Sequence, residues 1–144
     1  MNNQNEKKIF VVLSRTDTKI WKNDFNSGAI PITFVEEFVN RDYKKIINQY
    51  FSGRNRSKMD PQFVERVAKE LIGFDRIYFA GGGKGKASAV NNLTAYLRAH
   101  QPLLAKNIRA IKDIDASHMT DNELLAMARQ LEDADLLEIH PGQA

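Results

Sequence analysis

The sequence predicts a mixed α/β fold, an α+β mixed sheet in which an N-terminal antiparallel β-meander is followed by β-α-β units with helices packed on the sheet. Three observations carry this. Residues 8 to 38 hold three short apolar, β-branched runs with only brief turn signals between them. "RIYFA" (76–80) is continuously apolar after Arg76, as a central strand covered on both faces must be. Stretches of helical period lie on either side of that strand in the chain. The order β-β-β-(α)-α-β-α-β-α joins a meander to crossover units in one sheet.

"KIFVVLS" (8–14) reads as a buried strand, and "TKIWKND" (18–24) as its neighbour, reached through a tight turn at Thr16-Asp17. "NSG" (26–28) is a turn signal, and "IPITFVEEF" (30–38) reads as the third strand. Tyr43, Ile46, Ile47 and Tyr50 are spaced for a helix face, and "SGRNRSKMD" (52–60) is a basic loop without periodicity. Asp60 and Pro61 suit the cap and first position of a helix whose stripe is Phe63, Val64, Val67, Leu71 and Ile72, with Gly73 ending it. A further helix runs from about Ala87 to His100, with Val90, Leu93 and Leu97 on one side. "NIRAIKDID" (107–115) reads as a strand, and Thr120 with Glu123 as a capping box for a last helix buried through Leu124, Leu125, Ala128 and Leu131. "LLEIH" (136–140) reads as a short final strand.

The 144 residues fit one domain, 1–144, with residues 1–7 expected to be disordered. The absence of cysteine excludes disulfides, thiolate metal sites and cysteine nucleophiles, and fits a reducing compartment. "MNNQNEKK" has no apolar core for a signal peptide, and no apolar run approaches the roughly 20 residues of a membrane span. A cytoplasmic location is expected. The net charge is only +3, yet residues 41–58 hold six cations against one acid, and residues 120–144 six acids against one cation. Such asymmetry points to a polar binding face, set against the plainer reading of a solvated surface.

"FAGGGKGKAS" (79–88) sits between a strand and a helix, where backbone N–H groups and the helix end attract an anion. Gly81, Gly82, Gly83, Lys84, Gly85 and Lys86 are therefore candidate anion-binding residues, the alternative being a structural turn with solvated lysines. A Walker A loop is excluded, because Ala80 stands where its first glycine belongs and Ala87 where its hydroxyl belongs. A dinucleotide fingerprint also fails, since its third glycine would fall on Lys86 or Ser88.

His100, His118 and His140 have no metal-ligand spacing, so no metal and no other cofactor is expected. Asp113 and Asp115 alternate on a strand and would share a face, which allows a paired-carboxylate site or merely a strand end. Ser14 and Ser88 have no base near them in sequence, and no catalytic residue is assigned. Tyr43, Tyr50 and Phe51 flank Lys44, Lys45, Arg54 and Arg56, the mix of rings and cations that nucleic-acid binders use, although the two tyrosines equally fit a core-facing helix.

With these elements in place, the chain resembles the middle domain of the archaeal and eukaryotic peptide-chain release factors, and more closely the small bacterial relatives labelled host-attachment proteins. "FVERVAKELIGFDRIYFAGGGKGKAS" (63–88), "KIFVVLSRTDTKIWK" (8–22) and "IKDIDASHMTDNELLAMARQL" (111–131) carry the likeness, which spans nearly the whole chain. The resemblance implies a sheet comparable to ribonuclease H-like and translational-machinery-component folds, and a role at the peptidyl-tRNA end of the ribosome. It places the family's catalytic Gly-Gly-Gln loop before the helix at 61–73. Here that region is "YFSGRNRSKMD", which has Gly53 but no Gly-Gly-Gln, and Gln49 is the one glutamine just upstream.

The expectation is a translation-associated domain that binds RNA or the ribosome and is non-catalytic, with Lys44, Lys45, Arg54, Arg56 and Lys58 on phosphates and the glycine turn as a second contact. The alternatives are a hydrolase of peptidyl-tRNA or nucleic acid, and a small-anion or nucleotide binder at the glycine turn. No membrane partner is expected, and the sequence leaves the oligomeric state open.

Overall fold

A computed structural model describes residues 6–14, 17–35, 61–82 and 89–139. Within them lie β1 (Lys8–Leu13), β2 (Asp17–Lys22), β3 (Ile32–Val35), α1 (Pro61–Leu71), β4 (Arg76–Gly81), α2 (Ala89–His100), the short α3 (Pro102–Ala105), β5 (Ile108–Asp113), a 3-10 turn (Ala116–His118) and α4 (Asp121–Ile139). The helix face at 43–50, the loop at 52–60 and Asp60 fall outside the described residues.

The five strands form one mixed sheet in the order β3-β2-β1-β4-β5. β1, β2 and β3 are the antiparallel meander that the short connections predict. β4 and β5 add in parallel, each reached through a helical crossover. β1 is therefore the middle strand with β4 beside it, and "IFVVL" and "RIYFA" are apolar at consecutive positions because both faces of these two strands are covered.

Strand alternation sorts the core into two layers. Ile9, Val11, Leu13, Ile77 and Phe79 point to one face, where Phe63, Val64, Val67 and Leu71 of α1 and Val90, Leu93 and Leu97 of α2 cover them. Phe10, Val12, Tyr78 and Ala80 point to the other, against Trp21, Phe25 and Leu124, Leu125 and Ala128 of α4. Each large side chain removed from water here contributes on the order of 1.5–3 kcal/mol. α1 stops where predicted: Gly73 takes φ +92°, and the Phe74 N–H donates to the Leu71 carbonyl at 3.2 Å.

Two expectations are corrected. "LLEIH" is not a strand, because α4 continues to Ile139 and Leu137 faces solvent. The helical period persists through Leu124, Ala128, Leu131 and Asp135, and Asp135 holds a core position although it is charged. Asp113 and Asp115 do not share a strand, because β5 ends at Asp113 and the Ile114 N–H turns inward to the Gly81 carbonyl at 2.9 Å.

Candidate functional site

The register defines one edge of the sheet. Val35 pairs with Asp17, Thr18 with Leu13, Leu13 with Gly81, and Gly81 with Asp113. The carboxyl ends of β1, β3, β4 and β5 thus lie in a row. β1 connects back toward β2, whereas β4 connects through α2 toward β5, so these two adjacent strands diverge at this row. Open α/β sheets place their ligands at such a divergence, outside the carboxyl ends of the strands.

This geometry bears directly on the candidate residues. The chain leaves β3 at Val35 on the carboxyl edge. It resumes in α1 at Pro61, and α1 must start at that edge, since it leads to Arg76 at the opposite end beside Lys8. Lys44, Lys45, Arg54, Arg56 and Lys58 themselves lie outside the described residues, as do Gly83, Lys84, Gly85 and Lys86. Both basic segments nonetheless have their described flanks on the same edge.

Gly81 and Gly82 are described, and packing accounts for them. A Cβ on Gly81 would meet the Leu13 carbonyl oxygen at 2.7 Å and the Val90 side chain at 2.8 Å. One on Gly82 would meet the Ile114 carbonyl oxygen at 2.8 Å. The first two glycines let β4 end between β1, α2 and the turn after β5.

At the β1–β2 turn the Ser14 hydroxyl donates to Asp17 Oδ1 at 2.6 Å, and the Asp17 N–H donates back to that hydroxyl at 3.2 Å. Lys19 Nζ donates to Asp121 Oδ1 at 2.6 Å across to the start of α4. Beside them Val12, Ala116, Met119 and Leu124 line a cavity of about 200 Å³, below the range of roughly 300–1,000 Å³ usual for sites that enclose a sizeable ligand. Asp113 and Asp115 are exposed, and Asp115 lies 3.9 Å from His118. His100 packs on the Tyr96 ring at 4.6 Å between centroids. Among the described residues no three His, Asp or Glu side chains come together to hold a metal.

The sequence reading missed a buried polar network at the other end of the sheet. Arg76 Nη1 donates to Glu132 at 3.0 Å, Lys8 Nζ bridges both Glu132 oxygens at 2.9 Å, and the Tyr78 hydroxyl donates to Asp135 at 2.7 Å. Burial, then the bond to Asp135, pushes the Tyr78 hydroxyl well above its ordinary range. Burial works against the Arg76 charge, but Tyr78 and Glu132 more than offset it and raise its pKa. The Arg76 Nε is buried without a hydrogen bond, although Glu6 lies 3.3 Å away. The available signal was Arg76, Glu132 and Asp135 at positions whose strand or helix phase points inward.

No family model and no curated protein matches the sequence. A solved structure does. Pelota of Archaeoglobus fulgidus, whose crystal structure reveals inter-domain structural plasticity, matches with a TM-score of 0.49 and 14% identity. The match covers 94% of this chain and 38% of that one, so this chain spans well under half of that protein's length. No helix among the described residues is long and apolar enough to cross a membrane.

Proposed function

We propose that this chain is a translation-associated RNA- or ribosome-binding domain of the cytoplasm, acting without catalysis of its own. The observation that carries the reading is topological. The segment with Lys44, Lys45, Arg54, Arg56 and Lys58, and the turn with Lys84 and Lys86, both depart from the carboxyl edge of one sheet. Cations on segments that leave from one edge would raise the local concentration of phosphates and release their counterions on binding. The resemblance of residues 8–22, 63–88 and 111–131 to release-factor middle domains supplies the translational context, and the missing Gly-Gly-Gln supports a binding role over hydrolysis.

Co-sedimentation with ribosomes tests it. The chain should pellet with ribosomes at low salt and leave them at high salt, and replacing Arg54, Arg56 and Lys58 by Ala should lower both the affinity and its salt dependence. A triple variant that pellets like the wild type removes the assignment.

A further inference from the structure

From Ile77 to Lys112 the chain holds six cations, Lys84, Lys86, Arg98, Lys106, Arg109 and Lys112, and no acid. Four of these six, Arg98, Lys106, Arg109 and Lys112, are among the described residues. Every cation on β1, β2 and β4 has a carboxylate oxygen within 3.3 Å: Lys8 and Arg76 have Glu132, Lys19 has Asp121 and Lys22 has Glu70. The two on β5, Arg109 and Lys112, have no such partner among the described residues, and neither do Arg98 on α2 and Lys106 at the end of α3. All four are exposed.

These residues sit on consecutive elements at one margin of the molecule. α2 follows β4 in the chain, Arg98 lies in its last turn, Lys106 caps α3, and β5 is one of the two edge strands. An edge strand this basic also resists pairing with another strand, but that protection requires nothing of α2 or α3. The exposed His100 ring, two residues after Arg98 and tilted 38° against the Tyr96 ring, adds an aromatic face of the sort that strand-binding surfaces use.

We propose that the margin formed by α2, the end of α3 and β5 is a second RNA-binding strip, on which Arg98, Lys106 and Arg109 hold the phosphates of single-stranded RNA. The proposal rests on the RNA-binding reading above and extends it to cations other than those of residues 41–58.

The test measures binding of the whole chain to a fluorescein-labelled single-stranded RNA of about 16 nucleotides, the upper end of the site sizes of small strand-binding folds, across a salt series. Replacing Arg98, Lys106 and Arg109 by Ala should leave the melting temperature unchanged. It should weaken binding at least about tenfold near 0.1 M salt and reduce the log–log salt slope by about 2, at roughly 0.7 per phosphate contact on a single strand. A control with Lys7 and Lys69 replaced by Ala should keep the slope within about 0.7 of wild type. Wild-type affinity and slope in the Arg98/Lys106/Arg109 variant would overturn the strip, while loss of binding in the Arg54/Arg56/Lys58 variant would still uphold the earlier reading. An equal loss in the Lys7/Lys69 control would overturn it too, since any cation would then serve. A wild-type chain that binds no RNA defeats both.

Discussion

Tyr78 donates to Asp135 where neither side chain meets much water, and the bond serves both partners. Replacing Tyr78 by Phe keeps the ring's packing but leaves the Asp135 carboxylate buried without its donor. The loss should be about 1–3 kcal/mol in a urea titration at neutral pH. The same bond has a pH signature. In the unfolded chain a tyrosine ionises near pH 10, and in the folded chain the Tyr78 hydroxyl ionises higher. Above about pH 10 the unfolded state therefore binds fewer protons than the native one. The contribution of Tyr78 is thus complete below that pH and falls as the pH rises beyond it. Wild type should lose stability more steeply above about pH 10 than the Phe variant, and parallel curves would refute the coupling. Gly81 is constrained differently. Changing it to Ala drives a methyl group toward the Leu13 backbone carbonyl, which cannot step aside as a flexible side chain would. A destabilisation of about 1–3 kcal/mol is expected, and a neutral result in thermal melting would show that β4 can shift.

Among the elements, α4 shows most clearly what sequence can and cannot reveal. Its start was legible: the Glu123 N–H donates to the Thr120 hydroxyl at 3.1 Å, and the Thr120 N–H donates to the Glu123 carboxylate at 2.8 Å. Replacing Thr120 by Ala should cost about 0.5–2 kcal/mol, measurable as a drop in melting temperature. Its end was not legible. Hydrophobic periodicity counts only apolar residues, so an acid in the buried phase looks like a break. Asp135 is tolerated there because Tyr78, fifty-seven positions earlier, reaches it. The central strands were plain because burial on both faces forces an apolar residue at every position. β5 was legible as a strand but not as an edge, because its neighbours depend on crossovers that no local pattern encodes. The candidate site shows the same division. Its cations could be named from composition, whereas the shared edge of the described flanks, Val35 and Gly81, follows only from register.

For the whole molecule, the charge is segregated rather than merely small in sum. Strand cations of β1, β2 and β4 are neutralised by acids, two of them, Asp121 and Glu132, on α4, while among the described residues those of α2, α3 and β5 have no acid partner. RNA binding should accordingly lose affinity as salt rises while thermal stability changes little, because the core is apolar; a melting temperature that tracks salt as closely as binding does would argue against this separation. The sheet polarity has one more consequence. β1 begins, and α4 ends, at the side of the sheet where Lys8, Arg76 and Glu132 meet, opposite the carboxyl edge. The chain thus enters and leaves its described body at one pole. A surface, tag or neighbouring domain attached at either end of that body would hold it by its base and present the other pole, the carboxyl edge of the sheet, to whatever passes in solution.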